Sequence, residues 1–99
     1  MQATAFEEKV FSAAKRVPRG KVSTYKQLAQ AIGSPSACRA VGNALNKNRD
    51  AGVPCHRIVR SDGAVGGFAR GTREKQRILR EEGVLIVRGR VVPAFVIKL

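Results

Sequence analysis

Between Thr24 and Lys47 two apolar stripes of helical spacing are separated only by Gly33-Ser34-Pro35-Ser36, a junction that leaves room for two small helices turning directly against one another. The first stripe is Tyr25, Leu28, Ala29 and Ile32, opened by Thr24 and Gln27 in the capping pattern and stopped at Gly33. The second has Ala37, Ala40, Val41, Ala44 and Leu45 on its inner side, with Ser34 as its expected N-cap and Pro35 in its first helical position. Together they predict a helix-turn-helix.

The flanks complete the picture. Thr4-Ala5-Phe6-Glu7 has the form of a capping box, and Phe6, Val10, Ala13, Ala14 and Val17 predict a helix from Ala5 to Arg16, ended by Pro18-Arg19-Gly20. Residues 46–52 read as a polar loop, and the short apolar pieces over 58–68 read as a hairpin or wing turning at Asp62-Gly63. A last helix starts at Thr72, is carried by Gln76, Ile78, Leu79 and Glu82, and stops at Gly83. Two short strands, 84–87 and 91–97, follow around Arg88-Gly89-Arg90. The expected fold is α/β and mostly helical: a single winged helix-turn-helix-like domain over residues 1–99, with small β-hairpins. With 43% apolar residues the chain can form one modest core, and neither end looks like a disordered tail.

Charge narrows the partner. Nineteen Lys and Arg against seven Asp and Glu leave a formal net charge of +12, which favours DNA or RNA because phosphate neutralisation releases counterions. The outer side of the second of the paired helices carries Ser36, Arg39, Asn43, Asn46 and Lys47 among small residues, so its backbone can come close to a groove wall. An ordinary solvated face and an RNA-binding module remain open alternatives. No stretch of eighteen apolar residues, no basic flank leading into an apolar run, and no segment with both a strong apolar and a Lys-rich face is present, so neither a membrane span, a signal peptide nor membrane-surface binding is predicted. The two cysteines, Cys38 and Cys55, do not make a disulfide framework, and a reducing, intracellular setting is expected.

Chemistry concentrates at Pro54-Cys55-His56-Arg57-Ile58-Val59, where one cysteine adjoins the only histidine. A free thiol has a pKa of about 8.5, so it needs a base or a cation to act as a nucleophile near neutral pH; His56, Arg57 and Arg60 are candidates for that help. Adjacent residues of an extended segment face opposite ways, so a water relay between Cys55 and His56 is expected in place of direct contact. The plain alternative is a buried, inert cysteine beside a surface histidine.

Four strings in order, Arg19-Gly20-Lys21-Val22-Ser23-Thr24-Tyr25, Arg39-Ala40-Val41-Gly42-Asn43-Ala44-Leu45-Asn46-Lys47-Asn48, Pro54-Cys55-His56-Arg57-Ile58-Val59 and Gly66-Gly67-Phe68, resemble the O6-alkylguanine-DNA alkyltransferases, and specifically their active-site domain, from Phe6 to about Val87. The resemblance implies DNA repair by direct reversal. An alkyl group passes from O6 of a flipped-out guanine in double-stranded DNA to Cys55, once per molecule, with no cofactor and no metal. It implies that His56 takes the thiol proton through a water and Glu82 orients His56. Tyr25 donates to the guanine ring, and Asn48 braces the active-site turn. Arg39 fills the vacated stack while Ser36, Ala40, Gly42, Asn43 and Lys47 lie against DNA. Ile58, Phe68 and Ala69 form the base pocket. A monomer is expected.

Departures from the pattern are a slightly shortened loop between Asn48 and Cys55, the lack of the additional N-terminal domain many members carry, and Arg70 where glycine is common. An alkyltransferase-like protein that flags the lesion without transfer is the nearest alternative; those proteins characteristically have tryptophan at the place of Cys55, and this chain has no Trp. A winged-helix nucleic-acid-binding module is the third reading.

Overall fold

The computed structural model describes residues 3–66 and 71–99, a mostly helical α/β fold with short strands. Helix α1 (Ala5–Ala14) begins with the full capping box: Thr4 Oγ1 accepts from the Glu7 amide at 3.1 Å, and the Thr4 amide donates to the Glu7 carboxylate at 2.9 Å. A tight turn through Val17 leads to β1 (Ser23–Thr24) and then at once to α2 (Tyr25–Ala31), whose first turn Thr24 caps through the Gln27 amide.

Helix α3 (Cys38–Lys47) starts later than the sequence predicts, and the reason lies at the end of α2. Gly33, at φ +78°, closes α2 in a Schellman-type turn in which the Ser34 amide donates to the Ala29 carbonyl at 2.9 Å. Ser34 therefore finishes one helix and does not cap the next. A further turn, Ala37 amide to Ser34 carbonyl at 2.9 Å, intervenes before Cys38, and α3 has no side-chain cap.

The segment 55–57 is likewise not extended. Cys55–Arg57 forms a 3-10 turn, followed by β2 (Ile58–Val59), which pairs in parallel with β1 in the register Ser23 to Ile58 and Thr24 to Val59. The Asp62-Gly63 turn forms as predicted, closed by the Arg60 amide on the Ala64 carbonyl at 2.9 Å, and its return limb also bridges Arg90 of β4 through Ala64. Helix α4 (Thr72–Glu81) is capped by Glu82 and followed by Gly83 at φ +92°. Strands β3 (Ile86–Val87) and β4 (Arg90–Val91) form the expected hairpin around Arg88-Gly89. The strand predicted over 91–97 breaks at Pro93, which has no amide hydrogen and opens a 3-10 turn, Pro93–Phe95. The chain then returns to the free side of β1, where the Val22 amide donates to Phe95 at 2.9 Å and the Ile97 amide to Val22 at 2.8 Å.

Two apolar clusters result. One joins α1, α2 and α3 through Val10, Ala14, Leu28, Val41 and Leu45; the other lies under α4 and the hairpin through Val59, Val65, Leu79, Val84 and Val91. Successive residues of a strand face opposite sides. Ile58 accordingly belongs to the first cluster and Val59 to the second, so the 3-10 turn that precedes them sits on the seam between the two cores. No helix is long and apolar enough to cross a membrane among the described residues.

Candidate active site

Cys55 opens the 3-10 turn and is half-buried, with Sγ held from both sides of its valence. Asn48 Nδ2 donates to it at 3.2 Å, and the thiol donates to the Leu45 carbonyl at 3.6 Å. Both partners belong to the end of α3, where Asn48 is the C-cap. Asn48 also ties the loop that leads to Cys55: its Nδ2 donates to the Asp50 carbonyl at 2.9 Å and its Oδ1 accepts from the Asp50 amide at 3.1 Å. A helix end, its cap and a polar loop thus fix one sulfur. Burial pushes the Cys55 thiol above its ordinary range, against the lowering effect of the Asn48 hydrogen bond and of the Lys75 charge. The cation that acts on the thiol is thus Lys75 and not the expected Arg57 or Arg60, and burial outweighs it: Arg57 turns to Glu82, and the Arg60 side chain lies beside Gly66.

His56 follows in the same turn, and with three residues per turn its side chain diverges from that of Cys55. Its Nε2 lies 2.9 Å from Glu82 Oε2, across 26 residues of chain. Glu82 has a side chain only 6% exposed and sits at the C-terminal end of α4, where the helix dipole disfavours a negative charge. Arg57 compensates it: Nε donates to Oε1 at 3.0 Å, one terminal nitrogen to Oε2 at 2.9 Å, and the other to the Val17 carbonyl at 3.0 Å. Burial by itself raises the Glu82 carboxyl, but the bonds from Arg57 and His56 outweigh it and hold the group below the usual carboxylate range. Burial moves His56 the other way, below 6.5, and outweighs the pull of Glu82. In the neutral ring, the hydrogen that meets the Glu82 carboxylate sits on Nε2 and leaves a lone pair on Nδ1.

Sequence reasoning missed Lys75. This lysine is 0% exposed, its Nζ donates to the Ile58 carbonyl at 2.6 Å and to the Tyr25 hydroxyl at 3.4 Å, and it lies 5.6 Å from the Tyr25 ring centre. Burial brings its pKa down from 10.5 to about 8. The signal was present in the helix period: Lys75, Ile78, Leu79 and Glu82 stand at i, i+3, i+4 and i+7, so the inner face of α4 runs through Lys75. Tyr25 packs against the first core, and burial raises its phenol pKa, with the nearby Cys55 acting in the same direction.

A cavity of about 430 Å³ opens beside Tyr25, lined also by Lys26, Cys38, Arg39, Gly42, Arg60 and Ser61. Ser36, Arg39, Ala40, Asn43 and Lys47 are exposed at or before α3, and Gly42 lies against the Tyr25 ring. Lys47 reaches back to Glu7 of α1 at 3.8 Å. Ile58 is fully buried, and its carbonyl already serves Lys75. Phe68, Ala69 and Arg70 lie outside the described residues. Both cysteines are free thiols, and no three His, Cys, Asp or Glu side chains cluster among the described residues.

Comparison with known proteins returns one consistent answer. Residues 5–84 match the family model described as "6-O-methylguanine DNA methyltransferase, DNA binding domain". The chain is 46% identical over 83 residues to the Regulatory protein ada of Salmonella typhimurium, covering 83% of this chain and 24% of that one. It is 42% identical over 83 residues to the methylated-DNA--protein-cysteine methyltransferase of Methanosarcina acetivorans, again 83% of this chain but 53% of the relative. The chain thus spans about a quarter to a half of the length of these curated relatives. Among solved structures, S. pombe Atl1 in complex with damaged DNA containing O6-carboxymethylguanine is similar over 100% of both chains, at 33% identity and a TM-score of 0.86.

Proposed function

The chain belongs to the 6-O-methylguanine DNA methyltransferase family, and from that premise we propose that it repairs alkylated DNA by direct reversal, Cys55 accepting the alkyl group from O6 of a guanine swung out of the duplex. The observation that carries the reading is the conjunction on one 3-10 turn of a thiol gripped by Asn48 and a neutral imidazole backed by a buried Glu82–Arg57 pair. Both the DNA-facing helices and the acceptor cysteine then lie in the same 99 residues.

The chemistry balances without a cofactor. The Cys55 proton passes through a water to His56 Nδ1, and the imidazolium is stabilised by Glu82. The thiolate attacks the alkyl carbon in line; the new S–C bond forms as the C–O bond breaks, and the electron pair stays on the purine oxygen. Tyr25 supplies a proton toward the ring as that negative charge spreads, while its own oxygen accepts from Lys75. The Lys75 cation offsets the thiolate formed near it. The thioether is stable, so each molecule acts once. Arg39 fills the gap left by the base, and the small exposed residues of α3 let the helix approach the groove.

The full-length match to Atl1, in complex with DNA carrying O6-carboxymethylguanine, favours a second reading in which the lesion is held but not repaired. One experiment separates them. Duplex DNA containing O6-methylguanine is incubated with the protein and the Cys55 peptide is weighed: one added methyl mass per molecule, absent in Cys55→Ala, supports transfer. Unmodified protein that retains the lesion duplex refutes transfer in favour of binding alone.

A further inference from the structure

We propose that Arg57 is a positioning residue for the transfer step: by gripping both oxygens of Glu82 it limits the pull of that carboxylate on the His56 ring, so that the ring is free to accept the thiol proton. This inference rests on the alkyl-transfer reading above. A carboxylate alone beside an imidazole raises the proton affinity of the ring, and a base already protonated can accept nothing. Glu82 meets His56 through a single oxygen at 2.9 Å, whereas Arg57 meets the same carboxylate through two bonds at 3.0 and 2.9 Å. The guanidinium thus holds the stronger claim on the charge, and its plane fixes the carboxylate rotamer that faces Nε2. The Val17 carbonyl anchors the remaining terminal nitrogen, so the fork cannot swing away.

The charged groups acting on His56 are Glu82 and Lys75 from α4 and Arg57 from its own turn. Burial does most to disfavour the charged ring; Glu82 pulls the other way, and the Arg57 and Lys75 cations act on the side of burial. A plain structural role, neutralising a carboxylate at a helix C-terminus, predicts loss of stability when Arg57 is removed and a loss of transfer that raising the pH does not recover. The two readings differ in a measurable way.

His56 is the only histidine, so NMR titration of its imidazole in the intact protein reads this group alone. In Arg57→Gln the midpoint is expected to rise by about 1–2 pH units above that of the parent. Methyl transfer to Cys55 at pH 7 should fall about tenfold and recover as the pH is raised past the new midpoint. Arg57→Lys keeps the charge but covers one oxygen at a time, so a smaller rise and a partial retention of rate are expected; this variant carries the test should the Gln variant not fold. Slower transfer with an unmoved midpoint, in either variant, overturns the proposal. The titration is made without DNA, whereas the alkyl-transfer reading is tested by methylation of the parent protein, so the two failures are distinguishable.

Discussion

Replacing Lys75 by Met tests why an ammonium group is kept inside a small core. Its pKa falls from 10.5 to about 8 on folding, so between those values the unfolded chain binds the proton and the folded one releases it. Stability rises with pH wherever the unfolded state binds more protons. The cost of burying the charge, about 3 kcal/mol at pH 7 at 1.36 kcal/mol per pKa unit, is therefore relieved as the solution becomes alkaline. A methionine of similar shape has no such cost at any pH. In a Cys55→Ser background, which removes the thiolate that would hold the proton on Lys75, urea unfolding is followed by circular dichroism at pH 7 and pH 9.5. The stability of the Lys75 protein relative to Lys75→Met should improve by about 2 kcal/mol over that interval, or about 1–2 M in relative midpoint. Loss of the donor to the Ile58 carbonyl offsets the variant by about 1–3 kcal/mol at both pH values and cancels from the comparison. In the Cys55 protein the same substitution should slow methyl transfer about tenfold or more, since a charge opposing the thiolate is gone. A stability difference that does not change with pH would refute the reasoning, because the lysine would then not be carrying a buried charge.

Three further outcomes are expected. Glu82→Gln leaves the largely covered Arg57 without its counter-ion and should cost about 3–5 kcal/mol in denaturant unfolding, with methyl transfer falling at least a hundredfold in the protein that remains folded. Since the Glu82 carboxyl is held below its usual range, its contribution is present above the unfolded value of 4.5 and is lost as pH falls through the folded one, so the difference between parent and Gln variant should shrink on acidification. Asn48→Ala removes the donor to Sγ and the tie to Asp50; alkylation of Cys55 by iodoacetamide at pH 7.5 should slow about threefold to tenfold, and stability should drop by about 1–2 kcal/mol. Gly20→Ala places a Cβ 3.2 Å from the Glu82 carbonyl at φ +88°, and is expected to cost about 1–2 kcal/mol in unfolding and to slow transfer by disturbing the end of α4; an unchanged midpoint would show that this contact is not tight.

The elements whose causes are local were legible in the chain. The capping box at Thr4, the cap at Thr24, the stop at Gly33 and the Arg88-Gly89 turn each depend on neighbours within a few residues, and all appear where the pattern placed them. The start of α3 was not legible, because Ser34 suits two jobs and only the Schellman bond to Ala29 decides between them. The extended reading of 55–57 failed for a similar reason, with Pro54 and Val53 closing a turn that propensity does not announce.

The order of residues by itself determined the helical pairs, the basic face and the adjacency of Cys55 and His56, since spacing, charge and neighbourhood are properties of a chain before it folds. Only the tertiary structure decided what that adjacency is worth. The carboxylate that backs His56 lies 26 residues away, Asn48 and Leu45 hold the sulfur from another helix, and Lys75 reaches Ile58 through the interior. Burial is a collective outcome of packing: it pushed the thiol up, the imidazole down and the lysine toward neutrality, and no local pattern encodes the water that each of them lost.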